Sequence, residues 1–476
     1  MVTMENEVPN SSRIHGKDTI CQDISDNSQD GDLENCMTDR TQLSYDKRDL
    51  PDDSTSSFLI STLASLLIAG LGSIFSGWLI NWAQNKEFLK EIPDALMLVT
   101  PLLGLKGNLE MTFASKLGTL SNTGEIDDCL MVRRLIKRYI PFLQVQSILF
   151  SLLLAVLCVV VAAAFDEKGK LSTQSALIII ASAIATASIS SFIIEMFLIA
   201  LVFTLSHFFG IDSDNFATPV AASCGDFGTF LLFMGFGTLQ LKSDQGDDLW
   251  PTVTILLFFV LYILPMMVYM NYKSKQWNSG WWAIIVAMVL SGAGGWILKY
   301  AVNTLKWTTF STFQPLIAGL AGNRISVQSS RISTSLVRSR APIGTIPYGT
   351  LREKFNPCST FCGLGVHTKM SRLLVMTTIP AQLLFLFITI WLNSEIDYNN
   401  SLVWFILSYL AAGLIQMIVL LYFCQCIVYL LWRIGCDPDS SAIPLLTSFS
   451  DLIGSVLLLG VYLIAKPVTT NHDNCL

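Results

Sequence analysis

The sequence predicts an all-α polytopic membrane protein of about eleven spans, arranged as two parallel five-helix repeats joined by one connecting transmembrane helix. Three observations predict it. Only 14% of the 476 residues are charged and 52% are hydrophobic, with a mean hydropathy of +0.54, whereas a soluble domain carries about 25% charged residues. The apolar residues gather in runs of about 20, the length that crosses a bilayer as helix. Two groups of sequence patterns also recur in the same order, roughly 220 residues apart.

Residues 1–56 hold 13 Asp and Glu against 5 Lys and Arg, with much Ser and Asn. Such a segment cannot bury a core and is expected to be a disordered acidic tail, with no cleavable signal peptide. The spans then read 58–82, 94–118, 141–164, 176–205, 217–241, 252–271, 281–302, 311–336, 372–393, 401–432 and 442–465. The second and eighth open near Thr100-Pro101 and Gln314-Pro315, which leaves a broken helix or re-entrant turn open there. This divides the chain into a first repeat at 57–241, a connecting helix with its loops at 242–280, a second repeat at 281–466 and a short tail at 467–476.

Lys and Arg concentrate in the segments 119–140, 272–280 and 337–371, while "SDQGDD" at 243–248 and "SEID" at 394–397 are acidic. Basic loops stay in the cytoplasm, so the N-terminus is expected inside and, with an odd number of spans, the C-terminus outside. The eleven cysteines are scattered and the four histidines avoid the apolar runs, so soft-metal ligation has little support.

The repeat is specific. The second span reads "GLKGNLEMTFASKLGT" from Gly104 and the eighth "GLAGNRISVQSSRIST" from Gly319. The first and seventh share Gly77-Trp78 and Gly295-Trp296. The fifth runs Gly210-Ile-Asp-Ser-Asp, then Pro219, then Asp226; the eleventh runs Gly435-Cys-Asp-Pro-Asp, then Pro444, then Asp451. Five crossings alone would invert the second unit. The sixth span restores its sense, so the units are expected to be parallel about an axis along the membrane normal.

Asp226 and Asp451 lie inside apolar spans, where an Asp costs about 2.5–3.5 kcal/mol on insertion scales and so faces a cavity or partner. Twofold symmetry can bring both to one axis, where like charges repel unless protonated or bridged by a cation. A structural carboxylate bonded to a neighbouring helix is the alternative. Glu195 is a third intramembrane carboxylate, without a counterpart in the second repeat, and either supports the site or makes a local polar contact. Asn108, Thr112, Ser115 and Thr119 stack on one face of the second span, and Asn323, Ser330 and Thr334 repeat three of them. Glycines 104, 107, 319 and 322 would permit close helix approach, so a helix-packing face is the rival explanation of this stripe. Two aspartates with neutral oxygens suit a hard, partly hydrated divalent cation; magnesium, calcium and manganese are all admissible.

"PLLGLKGNLEMT", "GLAGNRISVQSSRIST" and the two Pro-x6-Asp spans resemble solute carrier family 41, eukaryotic relatives of the MgtE magnesium channels, over roughly residues 58–466. The resemblance implies two fused MgtE-like membrane units, magnesium as cargo rather than cofactor, and pore aspartates at Asp226 and Asp451. It further implies a plasma-membrane location and, for some members, sodium as a counter-ion. The metal-site candidates are therefore Asp226, Asp451, Asn108, Asn323, Thr112, Ser115, Ser330 and Glu195. The expected partners are magnesium, other divalent cations and the bilayer, without nucleic acid or an obligate protein partner, the chain being its own pseudo-dimer. An aspartyl-type intramembrane enzyme and a non-transporting magnesium sensor are the competing functions. No nucleophile–base pair accompanies the aspartates, so no enzymatic activity is expected.

Overall fold

Eleven long helices, with the short helices Glu87–Glu91, Leu351–Lys354 and Pro357–Phe361 between them, follow one another in the computed structural model. It describes residues 55–122, 129–164, 172–204, 214–244, 250–274, 280–339, 344–346, 350–363, 365–393, 400–436 and 438–465. They are α1 (Thr55–Gln84), α2 (Ala95–Asn122), α3 (Cys129–Ala164), α4 (Thr173–Thr204) and α5 (Asp214–Asp244). In α6, Trp250–Leu257, the π-helical Phe258–Ile263 and Leu264–Ser274 run on without a break. Next come α7 (Trp281–Lys299, ending in the π-turn Tyr300–Thr304) and α8 (Phe310–Arg338). Then α9 combines Val366–Met376 with Thr378–Leu392, and α10 (Asn400–Ile434) and α11 (Pro438–Ala465) close the order. No strand occurs among the described residues. The acidic tail and the loops 243–248 and 394–397 lie wholly or largely outside them.

Nine of these helices are long and apolar enough to cross a membrane; α2 and α8 are not. Lys106, Asn108 and Glu110 interrupt α2, and Gln314, Asn323, Arg324 and Gln328 interrupt α8. The reason is position. Nearly every described side chain of α2 from Ala95 to Gly118 is buried or half-buried, as is most of α8. Helices wrapped by other helices need not present an apolar face to lipid. The connecting α6 is the opposite case, with Trp250, Phe258, Leu261, Tyr262 and Tyr269 exposed where lipid tails would lie.

Two expectations from the sequence change. Both α2 and α8 are continuous helices with Pro101 and Pro315 inside them, so neither opens with a break or re-entrant turn. A proline removes one donor and leaves the carbonyl four residues earlier without its helical partner, which packed neighbours can tolerate. The third helix also starts at Cys129 rather than at Pro141. Arg133, Arg134, Lys137 and Arg138 therefore extend a 36-residue helix instead of forming a loop. At about 1.5 Å per residue that helix is far longer than a bilayer's ~30 Å hydrocarbon layer. The other boundaries fall within a few residues of expectation, except that α9 begins at Val366, six residues early.

The first helix of each repeat packs on the second helix of the other repeat. On α1, a Cβ at Gly77 would collide with the backbone oxygen of Thr312 on α8; on α7, one at Gly295 would collide with the backbone oxygen of Met97 on α2. One turn earlier the contacts recur, Gly319 against the Ser73 hydroxyl and Gly104 against the Ser291 hydroxyl. Each first helix also holds the fifth helix of its own repeat: Ser223 donates to the Ile68 carbonyl at 3.3 Å, and α7 packs along α11. Residues 57–476 accordingly form one compact unit.

Candidate functional site

Asp226 on α5 and Asp451 on α11 converge on the same stretch of α2. A Cβ at Gly107 would sit 3.5 Å from Asp226 Oδ1, and one at Gly104 would sit 3.0 Å from Asp451 Oδ2. At Gly104 such a Cβ would be tighter than ordinary contact, so glycine favours the close approach of Asp451, whereas at Gly107 it would meet Asp226 at an ordinary van der Waals distance. Asp451 Oδ2 also accepts a hydrogen bond from Ser291 Oγ at 3.0 Å.

Both aspartates line a cavity of about 70 Å³ between the repeats. A water needs at least about 10–15 Å³ of such space, so several waters, or an ion with part of its shell, would fit. Asn108 and Asn323 line the same space, as do glycines 104, 107, 319 and 322. The cavity is also lined by the hydroxyl residues Ser76, Thr100 and Thr447, which the sequence patterns did not single out. Ser76 Oγ and Thr100 Oγ1 are buried and have no hydrogen-bond partner among the described residues. Nothing in their sequence context marks them.

The polar stripe divides into parts. Asn108 bridges the repeats: its Nδ2 donates to Ser448 Oγ at 3.1 Å and to the Pro444 carbonyl at 3.4 Å, and its Oδ1 accepts from Thr447 Oγ1. Thr112 Oγ1 donates to its own helix at the Asn108 carbonyl, 2.8 Å away. Ser115 and Ser330, which occupy matched repeat positions, meet with their hydroxyl oxygens 3.5 Å apart. Thr112, Ser115 and Ser330 are not among the residues lining the cavity, and the side chain of Thr119 lies outside the described residues.

Glu195 on α4 does not line the cavity either. It is 1% exposed, and its Oε2 has no hydrogen-bond partner among the described residues. It faces a second feature that the sequence reading passed over. Lys106 and Glu110, four residues apart on α2, form a buried ion pair at 3.2 Å. The Lys106 ammonium also donates to Ser147 Oγ at 3.3 Å and to Ser191 Oγ. The signal was available in "GLKGNLEMT": a Lys and a Glu one turn apart inside a membrane span. Among the described residues no group of three or more His, Cys, Asp or Glu is arranged to hold a metal. The oxygen set facing the cavity is thus two carboxylates with amides and hydroxyls, the donors that hard cations take.

Comparison with known proteins agrees with the resemblance noted above. The family described as MgtE, divalent cation transporter, matches residues 99–236 and 314–461, one stretch in each repeat. Solute carrier family 41 member 3 of Rattus norvegicus is 32% identical over 406 residues, 84% of this chain and 85% of the relative. Solute carrier family 41 member 2 of Xenopus laevis is 34% identical over 445 residues, covering 93% and 76%. The human member 2 is 33% identical over 413 residues, covering 86% and 70%. No solved structure matches the chain. With most of α2, α5, α8 and α11 and both Asp226 and Asp451 inside the matched stretches, the chain belongs to the MgtE family of divalent cation transporters.

Proposed function

We propose that the chain carries magnesium across the plasma membrane, along a path between the two repeats and past Asp226 and Asp451. One observation carries this reading: the aspartates, from matched positions in two repeats, line one cavity together with neutral oxygens. Magnesium keeps several waters and takes one or two carboxylates, which suits two acids in a space of this size. In this reading Asp226, Asp451 and Asn323 meet the hydrated ion, and Ser76 and Thr100 receive its waters. Asn108 ties α2 to α11. Thr112, Ser115, Ser330 and Glu195 hold the surrounding helices.

Purified protein in liposomes loaded with a magnesium-sensitive dye tests the reading directly. Magnesium entry above that of empty liposomes is the expected result, and none would sink it. A sodium gradient imposed on the same liposomes separates exchange for sodium from uncoupled flow.

The proposed orientation has a test of its own. With the repeats parallel and the N-terminus inside, cysteines introduced at Lys137 and Arg352 should resist an impermeant thiol reagent in intact cells, whereas one at Asp247 should label. Lys137 lies in the basic first turns of α3 and Arg352 in the short helix Leu351–Lys354. Labelling at either basic position from outside the cell would overturn the parallel arrangement of the repeats.

A further inference from the structure

We infer that the Lys106–Glu110 pair is an electrostatic positioning element of the cation site, in which Glu110 adds negative charge to the Asp226 side of the cavity. This rests on the transport reading above. The pair is wholly buried, Lys106 at 0% and Glu110 at 1% exposure. Packing does not call for it. The matched positions on α8 are Ala321 and Ile325, both buried, and there the same helix geometry stands without charge. A buried ion pair adds little stability over an apolar filling of similar volume. Its presence in one repeat alone therefore needs a reason other than folding.

The orientation of the pair supplies one. The ammonium is anchored on the side of α3 and α4 by Ser147 and Ser191. The carboxylate points the other way, towards α5, where Glu110 Oε2 occupies the space that a Cβ on Gly225 would need. That oxygen has no hydrogen-bond partner among the described residues. The next residue along α5 is Asp226, and the charges of Glu110 and Asp226 are within reach of one another. Asp451 instead accepts a hydrogen bond from Ser291. The two repeat aspartates are thus unequal: one is steadied by a hydroxyl, the other reinforced by a second carboxylate behind a glycine. A cation in the cavity is drawn towards Asp226, and a doubly charged ion gains twice what a singly charged one does.

The test is magnesium binding to the purified full chain by calorimetry, with four variants. Glu110→Gln should weaken binding by about tenfold, while Glu110→Asp, which keeps the charge and disturbs the 3.2 Å pair, should stay within about threefold of the unsubstituted chain. Gly225→Ala, whose methyl pushes the Glu110 carboxylate aside without altering any charge, should weaken binding severalfold. Asp94→Asn breaks the ion pair between Asp94 and Lys299, away from the cavity lining, and should leave affinity unchanged. A purely structural role would lower the thermal midpoint of Glu110→Gln while leaving the magnesium affinity of the folded protein unchanged. Unaltered affinity in folded Glu110→Gln overturns the inference. If Glu110→Gln does not fold, wild-type affinity in Gly225→Ala overturns it equally. No binding by the unsubstituted chain would instead defeat the transport reading, and this inference with it.

Discussion

Replacing Asp226 or Asp451 by asparagine should lower magnesium flux at least tenfold while leaving the protein folded. Asparagine keeps the shape of the side chain and removes its charge. At an effective dielectric near 20, a divalent ion about 4 Å from a carboxylate loses on the order of 8 kcal/mol of raw attraction, which desolvation and bound water then reduce. Even a fifth of that is a factor of more than ten in occupancy. Folding should survive because both side chains line a cavity rather than a close-packed core, and loss of a carboxylate relieves like-charge repulsion between them. The double substitution should add little to the worse single one, since both residues act on one ion. Asp451→Asn can still accept from Ser291, so that hydrogen bond is not the variable being tested. Flux and surface expression measured for the two singles and the double decide the matter. Unreduced flux in either single variant, at normal expression, would make that aspartate a structural partner only.

Gly77→Ala and Gly295→Ala should each destabilise the protein by about 2–3 kcal/mol, the upper part of the usual range for overpacking. In both cases the added methyl meets a backbone carbonyl, of Thr312 or of Met97, and no rotamer change can clear it. The Met97 carbonyl is also the one that Pro101 deprives of its helical donor, so close approach by Gly295 covers a group that would otherwise stand open. Gly292→Ala, on the same helix as Gly295 with nothing within 4 Å of its added methyl, is the matched comparison and should be neutral. Thermal midpoints in detergent and yields at the cell surface measure the effect. Equal midpoints for Gly292→Ala and Gly295→Ala would mean that the helices slide apart without cost, and the contact between repeats would lose its significance.

Much of this arrangement was legible in the sequence because it is written twice. The pattern from Gly104 and its copy from Gly319 located α2 and α8, and the two Pro-x6-Asp runs located both acids facing the cavity. What stayed hidden depends on contacts between distant segments. Asn108 and Asn323 look equivalent along the chain. Yet Asn108 finds Thr447 and Ser448, whereas the positions matched to those on α5 are Ala222 and Ser223, so the hydroxyl at 447 has no counterpart. The roles of Ser76 and Thr100 arise from which surfaces happen to enclose the cavity, and no local pattern encodes that. Hydropathy misjudges α2 and α8 for a related reason. It asks how a helix would fare in lipid, and these two meet other helices on most sides. Pro141 misled in another way. A proline at the head of an apolar run reads as a first-turn residue, yet α3 carries it in mid-helix with the basic turns ahead of it.

The exchange of first helices between repeats also has a consequence in time. A ribosome delivers Gly77 235 residues before Thr312, on the α8 surface that receives it. At about 5–20 residues per second, that is a wait of roughly 12–47 s. During it the Gly77 face of α1 can be covered only by lipid, by the insertion machinery or by a temporary neighbour. The first repeat therefore leaves the translocon without its proper partner, and its native packing is completed only once the second repeat has entered the bilayer. A chain interrupted between α6 and α7 would be held in that waiting state, with the cavity lacking the wall that carries Asp451.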